Sequence, residues 1–244
     1  MQIVKYARKI VPYPIRMYLK IGIRTWQDYR KNYHKRFALP QAEISIHCPY
    51  SLEIQQPVMP GTTLQAKLNN IQLGINAVEK VIIYPNEIFS FWKIVGKTTA
   101  KKGYQKGRNL VNGEIQEDYG GGLCQLASIM YHLGLCAGLN IVERHHHSVD
   151  IYKEHERFTP LGADATVVFG FKDLRLENPY SFPLRFSFVL SEHLLIGQIQ
   201  SEQAIEKQAI EFERKALPTQ QMQVETRTDS QKVLAVSVYN LPIK

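Results

Sequence analysis

The chain carries only three cysteines in 244 residues, which is too few for a fold held together by disulfides. An odd number cannot all pair, and Cys124 and Cys136 are spaced along one predicted helix that keeps them too far apart for a bridge. Reduced thiols are typical of a cytosolic chain, although an exported enzyme with a free cysteine nucleophile has the same pattern.

Long apolar runs are also missing. Charged residues interrupt the first 36 residues every few positions, so this stretch has neither the apolar segment of a signal peptide nor a small-residue cleavage site. It also lacks the long run of apolar residues that a membrane span requires. We therefore expect a cytoplasmic protein, either free or peripheral on the inner face of the membrane.

Acidic residues are nearly absent from the N-terminal part of the chain. Residues 1–36 hold ten Lys or Arg and one acid, Asp28, which gives a net charge of +9. The whole chain has 30 basic and 22 acidic residues, so the remainder holds 20 and 21 and has a net charge of −1. Because that remainder is nearly neutral, we expect no nucleic-acid partner. We divide the chain into a basic arm, residues 1–40, and a body, residues 41–244.

The arm has a helical pattern from Ile15 onward. Leu19 and Trp26 recur at helical spacing with basic residues between them, and Pro12 and Pro14 allow two short helices at most. An amphipathic basic stretch of this kind can lie on an anionic membrane surface. The alternatives are a solvated arm and a helix that packs on the body.

Hydrophobic periodicity in the body predicts an α+β fold. Residues 68–83 and 124–139 have helical periodicity, and the second stretch is the clearer helix. Apolar or alternating runs predict strands around Ile44 and Ile46 and at 52–56, 88–92, 141–142, 165–171, 184–190, 195–199, 221–226 and 232–238. Residues 97–118 are predicted to form a long loop, partly a hairpin. Because the later strands alternate and are joined by tight turns, we expect the central helix to pack on a mainly antiparallel sheet.

The most informative stretch is a run of glycines directly before a cysteine at the start of this central helix. Glycine lets the backbone adopt unusual conformations and lets a substrate approach closely. The helix N-terminus offers free N–H groups and a partial positive charge, which favours thiolate over thiol. The stretch reads Gly120, Gly121, Gly122, Leu123, Cys124 and Gln125.

A buried, inert cysteine is the alternative interpretation of Cys124, because free cysteines usually behave as small apolar residues. Cys136 fits that description, since it lies inside the apolar helix. Cys48 has neither a glycine run nor an obvious base beside it. Cys124 differs from both because it stands at a junction between loop and helix.

A base and an acid follow the cysteine at suitable positions. His145, His146 and His147 come after the short strand, and Asp164 comes later still. A Cys–His–acid system needs a thiolate, a base that generates it and a group that orients the base. In an extended segment His145 and His147 share one face, so either can be the base. The backbone N–H groups of Cys124 and Gln125 could bind an oxyanion.

Three consecutive histidines also raise a zinc site as an alternative. Adjacent histidines on a strand cannot easily converge on one ion, and Cys124 is the sole further ligand candidate nearby. We therefore expect neither a metal site nor a cofactor.

Several motifs together resemble the VanW family over roughly residues 70–200. They occur in order and at suitable spacing, and the glycine–cysteine–glutamine motif and the later Asp-Ala-Thr are the most specific. The motifs are Phe89-Ser90-Phe91, Gly103-Tyr104, Asn112-Gly113, Gly120–Gln125, Arg144–Ser148, Gly162–Thr166, Leu176-Glu177-Asn178 and Pro183-Leu184.

The resemblance implies roles for individual residues. Some exported members are considered L,D-transpeptidases, which attack the bond between an L- and a D-centre of a peptidoglycan stem through cysteine. On that basis Cys124 is the nucleophile, His147 the base and Asp164 the acid. An Arg-x-x-His element assigns Arg144 to the site with His147, and His145 is the less general position. With the glycines and Gln125, Arg144 and His145 form the expected substrate contacts.

Two functions of different classes follow. The first is a cysteine-dependent acyl-transfer enzyme that acts on a peptidoglycan stem peptide or a related peptide containing D-amino acids. The second is a non-catalytic peptide-binding or accessory protein linked to glycopeptide resistance or cell-wall metabolism. A redox role for Cys124 ranks last, because no resolving cysteine lies nearby in sequence.

Overall fold

The structure is a computed structural model that describes residues 11–43, 46–111, 114–150, 157–218 and 220–241. Its described part is an α+β fold, as the sequence predicts. The four α-helices are α1 (Tyr13–Arg30), α2 (Leu64–Val78), α3 (Phe91–Val95) and α4 (Leu123–Cys136), and short 3-10 helices span Tyr33–Lys35 and Ala100–Lys102.

Twelve described strands form four sheets whose ladders are antiparallel. The strands are β1 (Tyr50–Pro57), β2 (Ile82–Ile83), β3 (Ile88–Ser90), β4 (Lys106–Val111), β5 (Glu114–Tyr119), β6 (Asn140–Glu143), β7 (Arg175–Glu177), β8 (Leu184–Leu190), β9 (Leu194–Ser201), β10 (Ile210–Leu217), β11 (Gln221–Thr228) and β12 (Val233–Asn240). Their spatial orders are β1-β9-β8-β2, β3-β7-β6, β10-β11-β12 and the hairpin β4-β5.

Helix α4 lies at the centre of the hydrophobic core, and twelve of its fourteen residues are buried. Two glycines bring its neighbours close to it. A Cβ atom at Gly74 of α2 would lie 2.7 Å from the Leu126 side chain, and one at Gly197 of β9 would lie 3.0 Å from the Ile129 side chain. Both distances are too short for a side chain, so α2 and the β1-β9-β8-β2 sheet pack directly on the helix that begins at Cys124.

In the described part of the basic arm, helix α1 is fixed to the body along one face. Pro14 stands in its first turn, where a missing N–H costs nothing. Met17 is buried, Arg24 forms an ion pair with Glu143, and Asp28 forms a buried ion pair with Arg175 of β7. Among the described residues, no helix combines the length and the apolar character that a membrane crossing requires.

The C-terminal sheet, β10-β11-β12, packs on the segment that follows the histidines. The Asp150 N–H donates to the Asn240 carbonyl, and the Asn240 N–H donates to the Ser148 carbonyl. A Cβ atom at Gly162 (φ +104°) would meet the side chains of Phe212 and Val224. This sheet therefore covers the loop that carries Asp164.

The sequence located most elements correctly and misassigned three. The helix predicted over 68–83 spans 64–78 instead, and its last predicted turn is strand β2. The strand predicted over 88–92 ends at Ser90, whose hydroxyl accepts the Lys93 N–H and caps α3. The predicted strand 165–171 is irregular, because the Ala165 N–H donates to the Ser128 hydroxyl and not to a neighbouring strand.

Two strands were missed and some expectations fall outside the described residues. The missed strands are β7 and β10. Strand β7 has only three residues, and β10 contains many charged residues, so neither has a clear apolar alternation over its length. The strand predicted around Ile44 is only partly testable, since residues 44–45 are not described and Ile46 is not in a strand. The Asn112-Gly113 motif also lies outside the described residues.

Candidate active site

Cys124 is the second residue of α4 and follows closely after the three glycines Gly120, Gly121 and Gly122. Gly120 and Gly122 have φ angles of +92° and +101°, which residues with side chains rarely adopt. A Cβ atom at Gly120 would also lie 2.8 Å from Thr98 Cγ2, and one at Gly122 would lie 2.8 Å from Lys67 Cγ. Glycine is therefore required at both positions, by the backbone conformation and by the close packing. This conformation and packing hold the cysteine at the start of the helix.

The structure brings Cys124, His147 and Asp164 together. His147 Nδ1 lies 2.7 Å from Asp164 Oδ2, and the same oxygen accepts the His147 backbone N–H at 2.8 Å. The imidazole and the Cys124 thiol also interact, since each shifts the pKa of the other. Because Nδ1 is occupied by Asp164, Nε2 is the ring nitrogen that remains for the sulfur.

Two further groups contact the sulfur from the irregular segment after Asp164. Thr166 Oγ1 lies 3.7 Å from Cys124 Sγ, and the Val167 carbonyl oxygen lies 4.0 Å from it. The Ser128 hydroxyl, one turn along α4, accepts the Ala165 N–H at 2.9 Å. Ser128 and Ala165 thus fix the segment that completes the surroundings of the thiol.

The electrostatics of these groups favour a thiolate–imidazolium pair. Burial alone raises the pKa of the Cys124 thiol, but the hydrogen bond and charge of His147 outweigh it, and the pKa falls below its usual value. Burial alone lowers the pKa of His147, but its interactions with the carboxylate of Asp164, which accepts its Nδ1–H, and with Cys124 raise it to about 10. Cys124 is partly exposed, whereas Cys136 is buried and burial raises the pKa of its thiol. The two cysteines therefore differ as the sequence predicts.

Asp164 is held ionised by a dense set of donors. Burial raises the pKa of its carboxyl, but hydrogen bonds and charges from His147 and Arg144 hold it far below the usual range. Arg144 Nη2 donates to Asp164 Oδ1 at 2.9 Å, and the Tyr239 hydroxyl donates to the same oxygen at 2.5 Å. The acid of the site is thus fixed from two sides, one of them the C-terminal sheet.

Arg144 requires a correction, because the sequence assigned it to substrate contact. Its guanidinium is buried and donates to the carbonyls of Gly162 and Asp164, the Asp164 carboxylate and the hydroxyls of Ser237 and Tyr239. It also lies over the Tyr131 ring, 4.8 Å from the centroid. With its donors used within the protein, Arg144 positions Asp164 and does not face a substrate.

The other two histidines have separate partners. His145 Nε2 lies 2.9 Å from Glu143 Oε1, which belongs to the ion-pair network of α1. His146 Nδ1 lies 2.7 Å from the His147 carbonyl oxygen, and its ring packs against Tyr239. His147 is therefore the histidine of the three that meets the sulfur, and His145, which is partly exposed, stands at the rim.

Gln125 also requires a correction. Its backbone N–H, which the sequence paired with that of Cys124 as an oxyanion donor, donates to the Gly122 carbonyl at 2.9 Å because the first turn of α4 closes tightly. Its side chain is buried and donates to the Pro57 carbonyl. Within the described part of the chain, the N–H groups of Gly121, Gly122 and Cys124 have no acceptor, so this turn offers free donors for an oxyanion.

Sequence reasoning missed Tyr239, Ser237, Ser128 and Lys172. Tyr239 and Ser237 lie on β12, far along the chain from the motifs, and no local signal connects them to Asp164. Ser128 had a detectable signal, because it stands one helical turn after Cys124 and therefore on the same face. Lys172 follows the motif-bearing segment, is half-buried, and pairs through its backbone with Val168, next to the Val167 carbonyl that contacts the thiol.

The fold and the site define a class of α+β proteins in which a cysteine at a helix start is paired with a histidine and an aspartate. The chain belongs to the VanW family, since the family model described as VanW like protein matches residues 66–200. This range agrees with the resemblance over residues 70–200.

Two curated relatives match the same region. An uncharacterized protein of Bacillus subtilis (strain 168), YoaR, is 38% identical over 120 residues, which is 49% of this chain and 38% of that protein. The vancomycin B-type resistance protein VanW of Enterococcus faecalis (strain ATCC 700802 / V583) is 29% identical over 133 residues, 54% of this chain and 48% of that protein. The matches thus span less than half of each relative, and no solved structure matches.

Proposed function

We propose that this protein is a cysteine-dependent acyl-transfer enzyme of the L,D-transpeptidase or carboxypeptidase type. The observation that carries the proposal is the joint placement of Cys124, His147 and Asp164 at the start of α4, with the pKa of the thiol lowered and that of the imidazole raised. A non-catalytic domain has no need for a buried aspartate that orients a histidine toward a partly exposed cysteine.

The substrate class of the proposal is a peptidoglycan stem peptide or a related peptide with a D-centre. The support is membership of the VanW family and the name of the Enterococcus relative, which links that protein to vancomycin resistance. Some exported members of the family are considered L,D-transpeptidases, as the resemblance in sequence implies, so a cysteine acyltransferase in this family is expected to act on stem peptides.

The proposed reaction has two steps. The Cys124 thiolate attacks the carbonyl carbon of the bond between the L- and the D-centre, and free N–H groups of the turn Gly121, Gly122 and Cys124 stabilise the oxyanion. The leaving amine takes a proton from the His147 imidazolium, which leaves a thioester on Cys124 and a free D-residue. An amine or a water then attacks the thioester, gives its proton to His147 and restores the thiolate.

Intact mass spectrometry after incubation with a stem tetrapeptide tests the proposal. We expect an adduct on the wild type that corresponds to the tripeptide acyl group, together with release of the terminal D-residue. Cys124→Ala should give neither, and Cys48→Ala serves as the matched control because it removes a different non-core thiol. Binding of the tetrapeptide with no adduct and no release would instead support the accessory-protein function.

A further inference from the structure

A tight turn after the site carries a lysine toward the nucleophile. In this turn the Val168 N–H donates to the Lys172 carbonyl and the Lys172 N–H donates to the Val168 carbonyl, each at 2.9 Å. Trp92 Nε1 also donates to the Lys172 carbonyl at 2.8 Å. The residue before the turn, Val167, contacts the Cys124 sulfur through its carbonyl. The backbone of Lys172 is therefore fixed close to the reacting group.

The ammonium group of Lys172 has no fixed partner, although it is half-buried. Within the described residues it forms neither a hydrogen bond nor an ion pair, and burial lowers its pKa against the opposing effect of the charges of Cys124 and Asp164. Asp164 is already saturated by Arg144, Tyr239 and His147. A partly desolvated cation without a partner, beside a nucleophile, is expected to bind an anion from outside.

We infer that Lys172 binds the free terminal carboxylate of the peptide substrate, one residue beyond the bond that is cleaved. This inference rests on the proposed function and makes it more specific. Three bonds of about 1.3–1.5 Å join the scissile carbonyl carbon to that carboxylate carbon, so the two lie roughly 4 Å apart at most. Lys172 pairs through its backbone with Val168, the residue after the one whose carbonyl contacts the sulfur, so its long side chain starts within reach of both. The enzyme then removes or exchanges a terminal residue and discriminates against internal bonds.

Alkylation of Cys124 with iodoacetate and with iodoacetamide tests the anion site without any substrate turnover. Both reagents need the same thiolate, so the iodoacetate rate divided by the iodoacetamide rate does not depend on the thiolate fraction. Because only iodoacetate carries a carboxylate, this ratio measures the attraction of a carboxylate to the site. We expect Lys172→Met to lower this ratio by about five- to tenfold at low salt, whereas Lys172→Arg should retain it. Lys80→Met is the matched control, because Lys80 is exposed and lies at the far end of α2. Digestion and mass spectrometry separate Cys124 from the other thiols.

The outcomes separate this inference from the proposed function. If Lys172→Met slows iodoacetate and iodoacetamide equally, the lysine only stabilises the thiolate. If neither rate changes, Lys172 is not near an incoming carboxylate. In both cases the ratio of the rates is unchanged, and the inference is overturned. If the wild type turns over tetrapeptide, Lys172→Met should raise KM for the free acid at least tenfold and leave the C-terminal amide unaffected. Absence of turnover with a Lys172-dependent ratio would count against the proposed reaction alone.

A second inference rests on a different surface, the outer face of α1. Six large apolar side chains recur at helical spacing on this face and are about half or more exposed, and they are six of the fourteen exposed large apolar residues described. The opposite face of the helix is the one fixed to the body through Met17, Arg24 and Asp28. The stripe consists of Ile15, Tyr18, Leu19, Ile23, Trp26 and Tyr29.

The charges around this stripe have one sign. Arg16 and Lys20 flank it, Arg30 lies over the Trp26 ring, and Lys31 continues the basic edge. The sole acid of α1, Asp28, is buried against Arg175, so it does not offset these charges. An apolar stripe with tyrosine and tryptophan beside basic residues matches the interface of an anionic lipid bilayer.

We infer that α1 lies in the surface of an anionic membrane with this stripe inserted. Its inner face covers the turn that carries Lys172, since a Cβ atom at Gly170 would lie 3.0 Å from Met17 and 3.2 Å from Ile21. Arg24 also donates toward the Phe171 carbonyl. Attachment through α1 therefore holds the thiol close to the lipid surface, where a lipid-linked peptide would be presented.

Co-sedimentation of the full chain with vesicles tests this inference. We expect binding to vesicles of one part phosphatidylglycerol and three parts phosphatidylcholine, weak binding to phosphatidylcholine alone, and loss with added salt. Leu19→Ser with Trp26→Ser should reduce binding at least tenfold and keep the buried anchors intact. Val233→Ser with Val236→Ser is the matched control, because these valines are exposed on β12. Unchanged binding of the first double variant, or a stripe that mediates self-association in light scattering, would overturn the inference.

Discussion

The Tyr239 hydroxyl donates a hydrogen bond to Asp164 Oδ1, so the last strand of the chain holds the acid of the site. The family match ends at residue 200, and Tyr239 therefore lies outside it. Both side chains are buried, and burial with the charge of Asp164 raises the pKa of the Tyr239 hydroxyl. The C-terminal sheet is thus part of the site and not a separate appendage.

Tyr239→Phe is expected to lower stability and slow the reaction of Cys124. A hydrogen bond to a buried charged group contributes about 1.5–3 kcal/mol, and its loss should shift the pH midpoint of Cys124 alkylation upward because Asp164 then orients His147 less well. Denaturant unfolding and alkylation rates against pH measure the two effects. Tyr180→Phe is the matched control, since it loses a hydroxyl bond to the Ala137 carbonyl away from the site. It should lower stability without moving the pH midpoint.

The pH dependence of alkylation should distinguish the cysteines. Because the pKa of Cys124 is lowered and that of Cys136 is raised, iodoacetamide should modify Cys124 at pH values where Cys136 and a model thiol are largely unreactive. In His147→Gln the hydrogen bond and the charge that lower the pKa are gone and burial remains, so the midpoint should move above that of a free thiol. A midpoint that stays in place after this substitution would falsify the assignment of His147 as the partner of the thiol.

Cys124, His147 and Asp164 could be proposed as a site from the sequence because their signals are local. A glycine run, a cysteine at a helix start, a histidine after the next strand and Asp-Ala-Thr each depend on a few neighbouring residues. The site residues that sequence reasoning missed or misassigned depend on contacts between distant segments. Arg144 looked like a substrate contact until the positions of Gly162, Ser237 and Tyr239 were known, and no pattern within β12 indicates that it reaches Asp164.

The same contrast applies to the fold. The periodicity of α4 and the alternation of β8, β9, β11 and β12 identified these elements, since a buried face at a regular period produces the signal. The apolar segment 165–171 gave a false strand because burial there comes from threading between α4 and the histidine segment, with hydrogen bonds to Ser128 and the His145 carbonyl. Apolar composition alone does not distinguish these two kinds of burial.

Glu143 is expected to link stability to pH. Burial raises the pKa of its carboxyl, but His145, Arg24 and Arg175 lower it to about 2, below the usual value near 4.3. The folded state therefore favours the ionised form, so this contribution is present above the unfolded pKa and is lost as pH falls toward 2. Glu143→Gln should cost about 3 kcal/mol at pH 7, and the difference from wild type should shrink between pH 4.5 and 2.

Denaturant unfolding of the wild type and of Glu143→Gln across this pH range measures the effect. Glu202→Gln is the control, because Glu202 is exposed. It should change stability little at any pH. A constant difference between Glu143→Gln and wild type from pH 7 to pH 2.5 would show that the carboxylate charge is not what stabilises the fold there.

Cys124, His147 and Asp164 are expected to act as one unit in turnover of a stem tetrapeptide. Cys124→Ala and His147→Ala should each abolish release of the terminal D-residue almost as fully as the double change, because residues that act together lose activity non-additively. Thermal unfolding should show that both single variants remain folded. Independent losses that multiply in the double variant would mean that the thiol and the imidazole do not act in the same step.

Asp164→Asn should behave differently from both, because it disturbs the surroundings of the carboxylate as well as the orientation of His147. Oδ1 accepts from Arg144 and Tyr239, and Oδ2 accepts from the backbone and the ring of His147, so either position of the amide nitrogen faces a donor. Removal of the negative charge also leaves the buried Arg144 unpaired. We expect a loss of about 3–5 kcal/mol in stability and at least a hundredfold loss of turnover measured under folded conditions. Asp118→Asn is the control, since Asp118 is exposed on β5. A fully stable Asp164→Asn protein would contradict the donor network that surrounds this carboxylate.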